Sequence, residues 1–320
     1  MKFQYAPELV EEVVFQEIQR RTETGDLRLF QEYHHFADGI YDDRPGNQRE
    51  AAFDQLHKEF FVKLGFGNFI YQAIAESHLQ TDKVEQVFVG KALSQKEEGA
   101  DVGKDGRGIG IKLRTERFFD LPFLQRYLRH ELMHIADLLD EAFGYEYHTR
   151  LSLVSPTEEN IIRERYRVLW DISIDSRILR SGKETVSDKS QRFREFAALY
   201  RKLPEDYITC LFEGLWNTER FTHRELLDMA QDVQQLLERF PYQDSNGEIA
   251  NPVMAYSHTP QLPGAPCPLC RFPTYVWLTD VTRFTPSLQG LVMEDFPHWH
   301  LEQGMCERCF EGYQVRANSK

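Results

Sequence analysis

The chain contains long stretches with helical periodicity and a few short stretches that predict strands. Apolar residues spaced three and four apart predict helices over 8–22, 47–77, 121–143, 155–182, 190–203 and 222–239. Strands are predicted over 84–89 and over 108–113, where the apolar positions alternate with period two. Together these elements predict an α+β fold, mainly helical with a small sheet.

Local signals predict where some of these helices begin and end. Asn47 with Glu50, and Thr222 with Glu225, have the spacing of capping boxes. The two glycines at 65 and 67 predict a break inside the helix that begins near Asn47. The stretch 26–46 is mixed and ends in a turn-rich sequence, so no element is predicted there.

The predicted helix 121–143 has two different faces. Its apolar stripe consists of Leu128, Leu132, Ile135 and Leu139. The opposite face carries His130, His134, Asp137 and Glu141. These histidines therefore lie outside the apolar stripe, and their face must meet either solvent or a second element that carries a third metal ligand.

The sequence His-Glu-Leu-Met-His at 130–134 has the spacing of a zinc hydrolase helix. Residues four apart lie on one face of a helix, so His130 and His134 can reach a single metal ion. Glu131 projects to one side, where it can accept a proton from a metal-bound water. The implied reaction is zinc-assisted hydrolysis, most simply of a peptide bond.

The third ligand is sought first on the helix 155–182. Its predicted stripe is Ile161, Val168, Ile172 and Leu179, and a row of carboxylates formed by Glu164, Asp171 and Asp175 lies beside it. Carboxylates next to a buried stripe are costly unless they are paired or bind a metal. Asp171 and Asp175 are therefore the leading candidates for the third ligand.

The sequence Trp-Asp-Ile-Ser-Ile-Asp at 170–175 resembles the signature that follows the His-Glu-x-x-His helix in the metallopeptidase domain of VWA-associated proteins. It resembles the second ligand helix of gluzincins more loosely. The first resemblance implies Asp175 as the zinc ligand and is slightly preferred. The second implies that Asp171 binds zinc while Asp175 orients a ligand histidine.

Three further residues compete for the third ligand position. His148 lies at a distance from His134 similar to that in SprT-like peptidases, which also carry a C-terminal zinc ribbon, but Thr149 and Arg150 depart from that family's pattern. Asp140 matches the spacing of metzincins, which need a glycine where this chain has Asp137. Asp137 itself shares the histidine helix, and one helix rarely supplies three sides of a metal site.

Two other parts of the site follow from a peptidase reading. The strand over 108–113 has glycines on one face, so it either binds an extended peptide by strand addition or is an ordinary edge strand. The donor that stabilises the oxyanion is left open among Tyr145, Tyr147, His148 and His223.

A second metal site is predicted near the C-terminus. Two Cys-x-x-Cys pairs, formed by Cys267, Cys270, Cys306 and Cys309, predict a closed zinc ribbon. Four thiolates complete a tetrahedron, so His298 and His300 are interpreted as structural. Cys210 lies in an apolar run and is predicted to be buried in the core. One catalytic and one structural Zn²⁺ are thus expected.

Composition narrows the function classes. The formal charge of −13 makes nucleic acid an unlikely partner. No apolar run is long enough to cross a membrane, and the N-terminus does not resemble a secretion signal, so a cytoplasmic protein is expected. The Pro- and Gly-rich stretch from 241 divides the chain into a zincin-like metallopeptidase domain (1–240), a linker (241–262) and a zinc-ribbon domain (263–320).

The leading hypothesis is a zinc metallopeptidase that acts on a peptide or protein, with a ribbon that docks a protein partner. The competing hypothesis is a zinc-stabilised binding or regulatory protein that keeps the metal site without turnover.

Overall fold

The computed structural model describes residues 1–77, 79, 84–103, 106–146, 156–201, 203–242, 264–278, 283–296, 299, 301 and 304–318. Over these residues the fold is α+β and mainly helical, as predicted. Contacts divide the chain into two units, one made of 1–145 with 174–188 and the other of 146–173 with 189–320. The division after residue 173 falls inside one uninterrupted helix.

In its described residues, the first unit combines five complete α-helices and the end of a sixth with a four-stranded sheet. The helices are α1 (Pro7–Glu23), α2 (Arg28–Asp43), α3 (Gly46–Lys63), α4 (Phe66–Glu76) and α5 (Leu121–Leu139). The strands are β1 (Lys2–Tyr5), β2 (Gln86–Lys91), β3 (Gly99–Val102) and β4 (Gly108–Leu113), and short 3-10 helices cover Gln95–Glu97 and Thr115–Phe119.

Helix α2 occupies the stretch for which the sequence predicted no element. Its buried residues, Leu29, Tyr33 and Ala37, follow one another at intervals of four, which is a helical spacing. Only this narrow stripe is buried, and turn-rich residues follow it, so the apolar periodicity of the sequence is too weak to predict the helix.

The start of α3 corrects one predicted cap. The helix begins at Gly46 after an extended Pro45, and no side chain caps it, so Asn47 lies inside the helix and the predicted capping box is wrong. Proline has no N–H to donate, but its fixed φ favours a helix start, and the carbonyl of Pro45 accepts a hydrogen bond of 2.9 Å from the N–H of Gln48, which places the boundary earlier. The predicted break is confirmed, because Gly65 has φ +80° between α3 and α4.

The sheet has the order β1-β2-β4-β3. The first three strands in this order are parallel, with Lys2 opposite Gln86 and Gln86 opposite Gly108. Strand β3 runs antiparallel to β4, with Gly99 opposite Lys112, and forms an edge of the sheet. Both interpretations of 108–113, as a strand that binds an extended peptide and as an ordinary edge strand, are therefore wrong: β4 is paired on both sides, and the edge belongs to β3.

Period-two alternation in the sheet builds the core of the first unit. Ile109, Ile111 and Leu113 are at most 2% exposed, and Val87 and Val89 on β2 are fully buried. They join the stripe of α5 in one apolar cluster. Burial of each such side chain contributes roughly 1.5–3 kcal/mol before entropy is counted, so this cluster fixes the position of α5 over the sheet.

The second unit contains the first part of α6 (Pro156–Arg180), followed by α7 (Lys189–Leu199), α8 (Glu205–Asn217), α9 (His223–Gln231) and α10 (Val233–Arg239). The capping box of Thr222 and Glu225 is confirmed. The helix predicted over 222–239 is instead two helices, because Asp232 leaves the helical conformation and caps α10.

Two predicted core positions are wrong. Leu179, near the end of α6, is 51% exposed, because the buried part of the helix ends at Ile178. Cys210 on α8 is only partly buried. Its thiol lies 3.9 Å from the carbonyl oxygen of Pro241, at the margin of the core.

Gly214 on α8 is a site where any side chain must collide. A Cβ atom added there would lie 2.3 Å from a ring carbon of Phe240. We expect Gly214→Ala to lower the free energy of unfolding by about 1–3 kcal/mol through overpacking, measured by denaturant titration. The matched control is Gly39→Ala on α2, which meets no atom within 4 Å and should stabilise by about 0.5–1 kcal/mol. Equal effects of the two substitutions would contradict this account.

The C-terminal part of the second unit has its own small core. Short antiparallel pairs join β5 (Ala265–Pro266) to β6 (Pro273–Thr274) and β7 (Trp277–Leu278) to β8 (Met305–Cys306). Two helices follow the strands, α11 (Pro286–Asp295) and α12 (Glu307–Asn318). The core contains Leu288, Val292, Trp299, Met305 and Phe310. Residues 243–263 lie outside the described residues, so the predicted linker at 241–262 stays a prediction.

Within the described ranges, every helix is too short or too polar to serve as a membrane span.

Candidate metal centres

The orientation of helix α5 about its own axis is fixed, and this decides where the His-Glu-x-x-His motif points. Its first turn is capped by Asp120, whose carboxylate accepts a hydrogen bond of 3.1 Å from the backbone N–H of Phe123. Leu128, Leu132 and Ile135 are fully buried in the core of the first unit. This stripe turns the histidines away from the sheet core and toward α6, which is the second of the two environments that the sequence left open.

His130 and His134 converge on a common point. Their Nε2 atoms lie 3.2 Å apart. Two ligand nitrogens on a tetrahedral zinc, each about 2.05 Å from the metal, are separated by about 3.3 Å. His130 is 5% exposed and His134 is partly buried, so the pair is shielded from solvent but not closed off. The spacing of the two nitrogens fits a shared zinc ion.

Asp175 lies on the other side of the His130 ring. Its Oδ1 is 2.8 Å from Nδ1 of His130, and its side chain is fully buried. A carboxylate in this position accepts a hydrogen bond from the Nδ1–H group and leaves the Nε2 lone pair free for a metal. The geometry is that of a residue that orients a ligand, whereas the sequence slightly preferred Asp175 as the ligand itself.

Asp171 precedes Asp175 by one turn of α6, and the continuous helix fixes the positions of the two residues relative to each other. One candidate ligand atom from each of His130, His134 and Asp171 lies within 4.8 Å of the others. Asp175 is not in this group. The described residues thus contain two groups compatible with zinc, this one and the four cysteines.

The carboxylate of Asp171 is held by two arginines that are not among the residues predicted for the site. Its Oδ2 accepts hydrogen bonds from Arg167 at 2.9 Å and from Arg192 at 3.1 Å. The spacing of Arg167 and Asp171 is an i,i+4 pair that a reader of the sequence can find. Arg192 lies on α7, and nothing in the sequence connects it with Asp171.

Glu131 lies between the histidine pair and the edge of the sheet. Its Oε2 accepts a hydrogen bond of 3.1 Å from the backbone N–H of Ala100 on β3. Its other oxygen, Oε1, has no hydrogen-bond partner among the residues that the structure describes. One half of the carboxylate is thus fixed and the other half is available.

The outward side of β3 can be deduced from the pairing. The N–H of Gly103 bonds the carbonyl of Gly108 at 2.7 Å, so the odd-numbered residues of β3 face β4. The backbone groups of Ala100 and Val102 therefore point away from the sheet. The N–H of Ala100 bonds Glu131, and that of Val102 bonds the side chain of Asp101 at 2.7 Å.

A buried charge cluster anchors the start of β3. Glu98 is 2% exposed in its side chain and accepts hydrogen bonds from Arg117 at 2.7 and 2.9 Å and from the backbone N–H of Arg114 at 3.1 Å. Burial raises the pKa of Glu98, but hydrogen bonds from the two arginines outweigh it and lower the pKa overall. The ionised carboxylate ties β3 to the segment that leads into α5.

The remaining candidates for the third ligand are placed as follows. Asp137 forms a bidentate ion pair with Arg177, so its carboxylate is already used. Asp140 accepts a hydrogen bond from the N–H of Ala142 at 2.8 Å, as part of the turn that ends α5. His148 lies outside the described residues.

The four oxyanion candidates are only partly placed. Tyr145 is half-buried, and burial together with the charge of Asp101 raises its pKa, so it keeps its proton near pH 7. His223 is 5% exposed, its Nδ1 lies 2.7 Å from the hydroxyl of Tyr166, and burial lowers its pKa. Tyr147 and His148 lie outside the described residues.

The four cysteines form the second candidate centre. The Sγ atoms of Cys267 and Cys309 are 3.9 Å apart, and those of Cys270 and Cys306 are 3.7 Å apart. A tetrahedral zinc with four sulfurs at about 2.3 Å has edges of about 3.8 Å. The backbone N–H of Cys306 also donates to Cys267 Sγ at 3.3 Å. The donor set and its dimensions fit a closed zinc site.

The surroundings of the cysteines are partly described. Trp277 pairs with Cys306 across β7 and β8, and the indole N–H of Trp299 donates to the carbonyl of Gly304 at 3.0 Å. His298 and His300 lie outside the described residues, so their predicted structural role is not tested.

A scan against protein-family models, a search of curated proteins and a search of solved structures each found no match to this chain.

Proposed function

We propose that this chain is a zinc-dependent metallohydrolase and that its substrate is a peptide or protein. His130, His134 and Asp171 would hold the metal, Asp175 would orient His130, and Glu131 would act as general base. The observation that carries the proposal is the 3.2 Å approach of the two Nε2 atoms, combined with a buried carboxylate on Nδ1 of His130.

The chemistry of the proposal divides between the metal and the chain. A zinc ion bound there would lower the pKa of a bound water toward 7 and polarise the carbonyl under attack. Glu131 would accept the water proton on Oε1, while the N–H of Ala100 holds Oε2 in place. Asp175 would accept the hydrogen bond from Nδ1–H of His130, hold the proton on that nitrogen, and stabilise the charge that the ring shares with the metal.

A peptide substrate is supported by the edge of the sheet. Glu131 bonds directly to β3, so the proposed base lies beside a strand edge. The carbonyl groups of Ala100 and Val102 point outward from that edge and could accept hydrogen bonds from an extended chain, whereas the N–H groups of the same two residues are already bonded to Glu131 and Asp101. A substrate strand on β3 would therefore pass next to Glu131.

Two substitutions on α6 separate the roles of its carboxylates. Asp171→Ala should remove zinc from the histidine site, because it deletes a ligand. Asp175→Asn should keep the zinc but weaken its binding about 10- to 100-fold. The amide oxygen can still accept a hydrogen bond from Nδ1–H of His130, but it carries no negative charge. Zinc content and affinity are measured by mass spectrometry of metals and by competition with a chelator.

The matched control is Glu159→Gln, a carboxylate of α6 that pairs with Arg163, which should leave both zinc sites unchanged. Full zinc retention in Asp171→Ala would exclude Asp171 as a ligand and return the choice to Asp175 or His148.

The second candidate function is a zinc-stabilised binding protein without turnover. It is favoured by the two arginines on Asp171, because Arg192 is 6% exposed and its buried charge already compensates this carboxylate. A carboxylate neutralised in this way is a weaker metal ligand. Zinc binding at the histidine site without any detectable hydrolysis would favour this alternative.

The proposed protein partner of the ribbon is supported by exposed apolar residues next to its first cysteine pair. Phe272, Tyr275 and Val276 are 68%, 76% and 56% exposed, respectively. Clusters of large exposed apolar side chains of this kind mark interaction surfaces.

A further inference from the structure

A second concave site lies in the first unit, between α1, α2 and α3. It is an open cleft of about 540 Å³. None of its lining residues belongs to either metal group. Its lining combines aromatic rings with carboxylates and includes no lysine or arginine.

The aromatic part of the lining is a connected cluster of rings. Its members are Phe15, Tyr33, Tyr41, Phe53 and His57. Phe15 contacts Tyr33 and His57 with ring centroids 5.4 and 5.3 Å apart, and Tyr41 contacts Phe53 at 5.2 Å. Tyr33 and His57 are each 4% exposed, whereas Phe15 and Tyr41 are 43% and 56% exposed. The cleft thus has a buried aromatic floor and accessible aromatic walls.

The carboxylates of the cleft are not neutralised by ion pairs. Glu8, Glu11, Glu50 and Asp54 line it, and none of them forms an ion pair with another residue in the described part of the chain. Two other acidic residues of α1 are neutralised by ion pairs: Glu12 pairs with Lys91, and Glu17 pairs with two arginines. The lining therefore carries four carboxylates, and the nearby Arg49 guanidinium, 5.4 Å from the centroid of the Tyr41 ring, offsets only part of their charge.

The arrangement of these carboxylates does not suit a metal ion. Among the described residues, groups of at least three histidine, cysteine or acidic ligand atoms within 4.8 Å of one another occur only in the two sites already presented. The acidic residues instead line the cleft together with aromatic rings. Separate carboxylates beside aromatic rings, whose faces are electron-rich, suit a cation that is itself large and weakly hydrated.

The buried floor adds a polar group without adding positive charge. The Tyr33 hydroxyl and His57 Nε2 are 2.9 Å apart. Burial lowers the pKa of His57, although Glu11 and Asp54 oppose the shift, and burial raises the pKa of Tyr33 to about 12. Both rings are therefore neutral near pH 7, and neither repels a cation.

We infer that this cleft binds a small organic cation of the alkylammonium class, whose methyl groups contact the rings while the carboxylates supply the counter-charge. Aromatic surfaces with nearby negative charge are a recurrent solution for quaternary ammonium groups. The inference does not depend on the proposed hydrolase function, since the two sites share no residue.

The test compares choline with its neutral isostere, 3,3-dimethylbutan-1-ol, by titration of the full-length, zinc-loaded protein followed by NMR. Both ligands have the same branched head, so they differ in charge alone. We expect choline to bind at least about tenfold more tightly. Phe53→Leu and Asp54→Asn should each weaken choline binding about fivefold or more, whereas Asp38→Asn, an exposed carboxylate of α2 outside the cleft, should not change it.

Circular dichroism and zinc content establish that each variant is folded before it is titrated. Equal affinity for the two ligands would overturn the inference, as would choline binding that is insensitive to Phe53→Leu. Displacement of choline by equimolar Mg²⁺ or Ca²⁺ would also overturn it, because that result would indicate a metal site.

Discussion

Replacing Glu131 with glutamine is expected to reduce hydrolysis by about 10²- to 10⁴-fold while both zinc ions remain bound. The amide cannot accept the proton of the attacking water, and general base catalysis contributes a factor of this size. The substitution preserves the shape of the side chain and an oxygen that can accept from the N–H of Ala100. The measurement is the rate of cleavage of casein and of a mixed fluorogenic peptide library, with zinc content determined on the same samples.

The matched control is Glu116→Gln, which neutralises an exposed carboxylate in the 3-10 helix before α5 and should leave the rate unchanged. Equal hydrolysis by the wild type and Glu131→Gln would contradict the assigned role of Glu131. Zinc binding by both proteins without cleavage by either would favour the binding protein without turnover.

Replacing Cys267 with serine is expected to remove one zinc per chain and to unfold the C-terminal core. Cys267 is fully buried, and its sulfur also accepts the backbone N–H of Cys306. The strands of this region pair over only two residues each, and the core is small, so metal binding is expected to supply much of the folding free energy. Zinc content, protease susceptibility and the fluorescence of Trp277 and Trp299 report the change.

Cys210→Ser is the control for this experiment. Cys210 is the cysteine outside the four-cysteine group, and it is only partly buried. The variant should keep two zinc ions and an intact C-terminal core. Retention of both zinc ions by Cys267→Ser would show that the four cysteines do not form a closed site.

The sequence predicted the histidine pair because helix geometry alone determines it. Residues four apart share a face, so His130 and His134 had to converge once the stripe of Leu128, Leu132 and Ile135 was buried. The four-cysteine group was predictable for a similar reason, since each Cys-x-x-Cys pair brings two sulfurs together locally.

The division of roles on α6 could not be predicted in the same way. Asp171 and Asp175 are one turn apart and lie on the same face, so periodicity treats them alike. Which of the two contacts Nδ1 of His130 depends on the axial position of α6 relative to α5, and long-range packing sets that position. The sequence therefore kept both roles open, and its slight preference for Asp175 as ligand did not match the observed contact at 2.8 Å.

Pairing in the sheet was also beyond the sequence pattern. Strand β3 lies in a polar, glycine-rich stretch, and its four residues show no strong alternation. Its position as the edge follows from pairing with β4 and from the anchor at Glu98. Both are long-range interactions, so the local pattern of the sequence indicates neither the edge position of β3 nor the contact between Glu131 and Ala100.

The central claim is that His130, His134 and Asp171 hold a zinc ion beside Glu131. A crystal of the wild-type protein, measured just above and just below the zinc absorption edge, tests it most directly. The account predicts an anomalous difference peak about 2.1 Å from both Nε2 atoms and from a carboxylate oxygen of Asp171. The peak at the four cysteines serves as the internal control. A crystal that shows the cysteine peak and no peak at the histidines would contradict the claim.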